Sequence, residues 1–174
     1  MTQVNKAVTA FQVPIIDVTS DEAIFEGEGW DAVVVIATSL AEIKQDEVSL
    51  LAAHASQIDF RVGKSATLLF APGLAGGRLI ISPVTDSDNE YSDVRIFAKA
   101  AREGIAIAKA AGATKPLLVV PSVTDNRFAN AEQVAALACG QELWQPLEAR
   151  ESKSLQPSLT AIGLLNTATH SLLL

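Results

Sequence analysis

The residues Val33-Val34-Val35-Ile36, flanked by Ala32 and Ala37, constrain this chain more than any other stretch. An uninterrupted β-branched run reads as a strand, and without a polar position on either side of the pleat both of its faces must be covered. Leu117 to Val120, bounded by Pro116 and Pro121, has the same character. Strands of this kind imply a central, largely parallel sheet with helices above and below it.

The remaining segments supply those layers. Val13 to Val18 and Leu159 to Leu165 read as further strands. Ser39 and Glu42 match a capping box, which predicts a helix from there to about Gln57 whose inner face is Val48, Leu51, Ala55 and Ile58. Thr67 to Ala71 and Arg78 to Ile81 are short apolar runs separated by Pro72-Gly-Leu-Ala-Gly-Gly77, a composition suited to reversing the chain, so they read as a β-hairpin. After a polar loop from Thr85 to Ser92, the positions Val94, Phe97, Ala98, Ala101, Ile105 and Ala108 trace one face of a helix ending at Gly112. Asn130 and Gln133 form a second capping-box pattern, opening a helix with Val134, Leu137, Ala138 and Trp144 on its buried face and Pro146 beyond its end. Ser152 to Ser158 is a polar connection, and Asn166 to Leu174 is a tail. A hairpin is too short for a parallel crossover, so the sheet must be mixed. The fold class is α/β, a three-layer α/β/α sandwich, and 174 residues without a linker or internal repeat make a single domain.

Charge and cysteine content narrow the partners. A formal net charge of −7, with no run of Lys or Arg, repels a phosphate backbone and argues against nucleic acid. No apolar run reaches membrane-spanning length, and residues Met1 to Ala7 are polar rather than the start of a signal region, so no membrane partner is expected. The single cysteine, Cys139, has no thiol to pair with, which fits a reducing compartment and a cytoplasmic location.

Several local sequences resemble the N-terminal domain of the leucine aminopeptidase (M17) family, which is macrodomain-like. They are Arg78-Leu-Ile-Ile-Ser-Pro-Val84, Ala98-Lys-Ala-Ala-Arg-Glu-Gly104, Ala108-Lys-Ala-Ala-Gly112, Leu117-Leu-Val-Val-Pro121, and the helix from Asn130 to Gly140 with Trp144 near the family's aromatic. The resemblance spans nearly the whole chain. It implies a non-catalytic N-terminal domain whose partners are its own catalytic domain and the other subunits of a homo-oligomer, with a role in assembly or regulation. It also implies a parent enzyme that removes N-terminal residues from peptides with two divalent metals, zinc or manganese. The family's catalytic lysine and its Asn-Thr-Asp-Ala-Glu-Gly-Arg segment belong to the other domain. In this chain Asn166-Thr167 is followed by Ala168-Thr169-His170, without those ligands. The apolar end Ser171 to Leu174 is expected to be the face left by a severed neighbour.

Each candidate site has a plainer structural reading. Asp86, Asp88 and Glu90 alternate like the start of a calcium loop, but Tyr91 and Phe97 stand where that loop needs glycine and glutamate, which favours a solvated loop. The glycines of Pro72 to Gly77 suggest a phosphate cradle of the kind macrodomains use for ADP-ribose, yet the segment precedes a strand rather than a helix and reads as a turn. The ligand-binding candidates are Ser122, Asp125 and Asn126, in a loop between a core strand and a helix, where α/β sheets bind ligands. The same residue types also serve as ordinary turns and caps. No nucleophilic triad is named: His54 falls in a helix, His170 in the tail, and Cys139 on an Ala-rich helix. Trp30 and Trp144 read as core or interface anchors. The functional expectation is a non-catalytic domain of a cytosolic leucyl aminopeptidase, and the alternative is a macrodomain-like module for ADP-ribose or another nucleotide. A self-contained hydrolase lacks a convergent acid, base and nucleophile.

Overall fold

The computed structural model describes residues 15–19, 21–25, 29–144, 146 and 158–165. The start Met1 to Ala7, most of the 152–158 connection and the tail with its apolar end lie outside the described residues. Six strands form one sheet: β1 (Ile15–Thr19), β2 (Ala32–Ala37), β3 (Thr67–Phe70), β4 (Arg78–Pro83), β5 (Pro116–Val119) and β6 (Ala161–Leu165). Their order is β1-β6-β5-β2-β4-β3, parallel throughout except for the antiparallel β3–β4 hairpin. The sheet is therefore mixed, as the hairpin requires.

Every residue of β2 is buried, as are all of β5 and β6, so the β-branched run does lie between two layers. On one face Val33, Val35, Leu79, Ile81, Leu117 and Val119 pack under helix α1 (Asp46–Ile58) through Val48 and Ala52. On the other, Val34, Ile36, Ile80 and Leu118 pack under α2 (Arg95–Ala110) and α3 (Ala131–Leu143). Helix α2 lies tightly on the sheet at Gly104, where an added Cβ would come 2.5 Å from Val34 Cγ1. The fully buried Ser82 beneath it is satisfied by donating to the Ala100 carbonyl at 2.7 Å. At its end, Ala113 and Gly112 donate to the Ala108 and Lys109 carbonyls, with Gly112 at φ 83°. This is a Schellman arrangement at the glycine where the sequence ends the helix.

Three expectations are corrected. Ser39 caps only a short 3-10 turn, Leu40–Glu42, while Glu42 engages the Thr38 hydroxyl instead of closing a capping box. Ile43 then turns extended to bury itself, so α1 starts at Asp46, and Ile58 at its end is 90% exposed. At α3, Asn130 makes no side-chain cap bond, and the buried face is Ala131, Ala135, Ala138 and Cys139, with Leu137 and Trp144 exposed. That helix is apolar most of the way round, so its periodicity does not discriminate, and its small residues are the ones that allow close packing on α2.

The glycine loop between β3 and β4 is structural. Leu74 and Ala75 are fully buried, and Gly76, at φ 62°, presses against the backbone of Asp31, where a Cβ would overlap the carbonyl. The Asp31 carboxylate in turn accepts from Thr114 N (2.7 Å), Thr114 Oγ1 (2.8 Å) and Lys115 N (2.9 Å), joining the starts of β2 and β5. Gly104→Ala is expected to destabilise the fold by about 1–3 kcal/mol in urea denaturation through overpacking. Gly140→Ala, whose Cβ would meet only Ile16 Cδ1 at an ordinary 3.7 Å, is expected to be neutral or stabilising by up to about 1 kcal/mol through helix propensity.

Candidate functional site

The connection after β2 crosses to the α1 face, whereas those after β4 and β5, its two neighbours, cross to the α2 and α3 face. Adjacent strands whose connections diverge leave a crevice at their carboxyl ends. A cleft of about 730 Å³ occupies that position, lined by Thr38, Glu42 and Lys44 after β2, Ser87 and Asp88 after β4, and residues 122–125, Arg127 and Phe128 after β5. Beneath it lies a narrow, mainly apolar recess of about 20 Å³, walled by Val35, Ala37, Ile43, Val119 and Pro121 and sharing Glu42, Lys44 and Ser122 with the cleft.

Of the residues singled out from sequence, Ser122 and Asp125 line the cleft wall. Asn126 opens the 3-10 turn Asn126–Phe128 and is absent from the lining. Asp125 caps that turn by accepting from Arg127 N at 2.9 Å, and its carboxylate is paired with the Arg127 guanidinium at 2.7 Å. The turn drives Phe128 into the core against Phe97, with ring centroids 5.4 Å apart, and Arg127 lies over the Phe128 ring. From there Arg127 reaches across to the Asn89 carbonyl at 3.0 Å, tying the β4 and β5 loops together. The hydrogen bond to Arg127 holds the Asp125 carboxyl below the ordinary carboxylate value.

Lys44 donates to the Ser122 hydroxyl from the opposite wall. Lys44, Arg127 and the role of Asp88 in the cleft escape a sequence reading because the three loops are far apart in the chain; Lys44 and Ser122 are 78 residues apart. In the sequence Asp88 stands out only as part of a calcium-loop pattern. Among the described residues no three His, Cys, Asp or Glu side chains gather to hold a metal. Asp86 instead adopts φ 65°, and its carbonyl accepts from Ser92 Oγ.

Cys139 is fully buried on α3, and burial pushes its thiol up to about 12, so it packs as a small apolar residue. His54 is exposed on α1, and His170 lies outside the described residues. The glycine loop precedes the amino end of β4, so it lies at the other end of the sheet from the cleft. No helix among the described residues is long and apolar enough to cross a membrane.

No family model matches the chain. A Caenorhabditis elegans protein named as a candidate aminopeptidase is 43% identical over 89 residues, which is 51% of this chain and 16% of the relative. The chain thus matches only a small part of that relative's length. A mutant of tomato leucine aminopeptidase shares the fold at TM-score 0.57 and 17% identity, over 94% of this chain and 34% of that one. The macrodomain of Mycobacterium tuberculosis DarG superposes at TM-score 0.54 and 11% identity, over 87% of this chain and 97% of that one. A mutant macrodomain from Oceanobacillus iheyensis gives TM-score 0.54 and 10% identity, over 90% and 86%. The α/β sandwich is macrodomain-like.

Two measurements check the site. Asp125 is expected to titrate below the ordinary carboxylate value, and Arg127→Ala to return it upward, both read by NMR. Because the folded value is depressed, its contribution to stability is present at neutral pH and fades only as pH falls through that value. Cys139 is expected to resist alkylation by iodoacetamide at pH 8 in the folded protein and to react once urea unfolds it.

Proposed function

We propose that this chain, which resembles the N-terminal domain of the leucine aminopeptidases in fold and in local sequence, is a non-catalytic domain of an aminopeptidase that contributes to assembly or regulation. The 43% identity to an aminopeptidase-named protein over half the chain carries this reading, and the likeness to a leucine aminopeptidase over 94% of the chain supports its fold. The residues agree with it. Cys139 is buried and packs as a small apolar residue rather than as a reactive thiol. In this reading two zinc or manganese ions and the peptide-cleaving residues belong to a separate catalytic domain. The domain's partners are that catalytic domain and further subunits, and the enzyme is cytoplasmic.

The alternative, an ADP-ribose or nucleotide module, draws on the macrodomain fold. Two observations weigh against it: the chain's glycine-rich loop is at the wrong end of the sheet, and the cleft loops, residues 38–45, 84–93 and 121–130, contain no glycine to bring amides onto a phosphate.

The purified 174-residue chain is expected to release no p-nitroaniline from leucine p-nitroanilide with zinc or manganese added; measurable turnover overturns the reading. The native reading frame is expected to run past the Leu174 codon into an Asn-Thr-Asp-Ala-Glu-Gly-Arg segment. A stop codon directly after Leu174 sinks it.

A further inference from the structure

We propose that the cleft between the β2, β4 and β5 loops binds a free α-amino acid, the chemical class that an aminopeptidase releases. The inference rests on the aminopeptidase reading for its biological sense, but its chemistry comes from the lining. The cleft carries three carboxylates, Glu42, Asp88 and Asp125, and two cations, Lys44 and Arg127. Asp125 and Arg127 are paired with each other, and Arg127 is further held by backbone carbonyls of the β4 loop, which makes them part of the wall. Lys44, Glu42 and Asp88 stand outside the ion pairs found among the described residues, although Glu42 also engages the Thr38 hydroxyl and Asp88 lies within electrostatic reach of Arg127. One cation faced by carboxylates suits neither a phosphate nor a simple cation; it matches a zwitterion.

The arrangement of the walls gives each end of that zwitterion a place. Lys44 and Ser122 converge from two loops as an ammonium and a hydroxyl, a donor pair for a carboxylate. Glu42 and Asp88 line the same cleft and accept from an α-ammonium. Lys44, Ser122 and Glu42 also border the narrow recess walled by Val35, Ala37, Ile43, Val119 and Pro121. The recess, about 20 Å³, has room for about one water molecule, so the side chain of a ligand held there stays in the wider cleft of about 730 Å³. All the polar groups are at an exposed surface, so binding is of metabolite strength. A domain without chemistry of its own then reports the concentration of product.

Titration of the chain with L-valine, followed by backbone amide chemical shifts, tests this. Saturable shifts are expected for residues 38–45, 87–88 and 122–125. Valinamide stands in for a peptide N-terminus and N-acetylvaline for a peptide C-terminus; each lacks one charge and is expected to bind at least about tenfold more weakly. Lys44→Met and Asp88→Asn, both at exposed positions, are expected to weaken valine by a similar factor while leaving the melting temperature unchanged. Absence of valine shifts overturns the proposal, as does equal binding of either analogue, or shifts at the same residues with ADP-ribose and none with valine. A reading frame that continues into the catalytic segment, combined with no valine binding, overturns this inference and leaves the aminopeptidase reading standing. A stop after Leu174 with valine bound does the reverse.

Discussion

The complete burial of β2 is the constraint on which the rest of the structure depends. Its residues from Ala32 to Ala37 are covered on both faces, and each buried Val or Ile contributes about 1.5–3 kcal/mol relative to exposure. The ion pairs among the described residues join near neighbours such as Asp59 and Arg61 at the surface, where a pair is worth only about 0–1 kcal/mol. The layers are thus set by apolar burial and not by charge. A strand covered on both faces needs helices on both, and the connection leaving β2 must choose one.

That choice creates the cleft. The chain leaves β2 toward the α1 face, while both neighbouring strands send theirs toward α2 and α3. The three loops splay apart at one end of the sheet, and three side chains lock the opening. Phe128 is sunk against Phe97, Arg127 bridges two loops, and Lys44 meets Ser122. At the other end, Asp31 and the glycine loop close the sheet, with Gly76 packed so tightly that nothing larger fits. The same sheet therefore has a sealed end rich in glycine and an open end without it.

Much of the fold was legible because its signals are local. The β-branched run of β2, the prolines around Leu117 to Val120, the glycines of the hairpin and the Gly112 stop all act within a few residues, and the elements they mark are found there. The failures have specific causes. Helix α1 starts late because Ile43 gains more from burial than Ser39 and Glu42 gain from capping. The α3 face was misread at Leu137 and Trp144 because an Ala-rich helix shows no polar side, so the partner helix decides which face is buried. In the site, Ser122 and Asp125 were visible as a loop after a core strand, whereas Lys44 and Arg127 were not, because a charged residue in a loop carries no sign of what faces it.

What the sequence determined by itself is the set of elements, the buried central strands and the mixed sheet. These follow from short-range sterics and from the alternation of apolar and polar positions, which the chain carries wherever it goes. Tertiary structure alone decided which loops meet, which charges neutralise each other and which remain. Lys44 is brought to Ser122 across 78 residues of chain and Arg127 to the Asn89 carbonyl across 38, because the crossing of connections to opposite faces is a property of the assembled sheet and not of any segment in it.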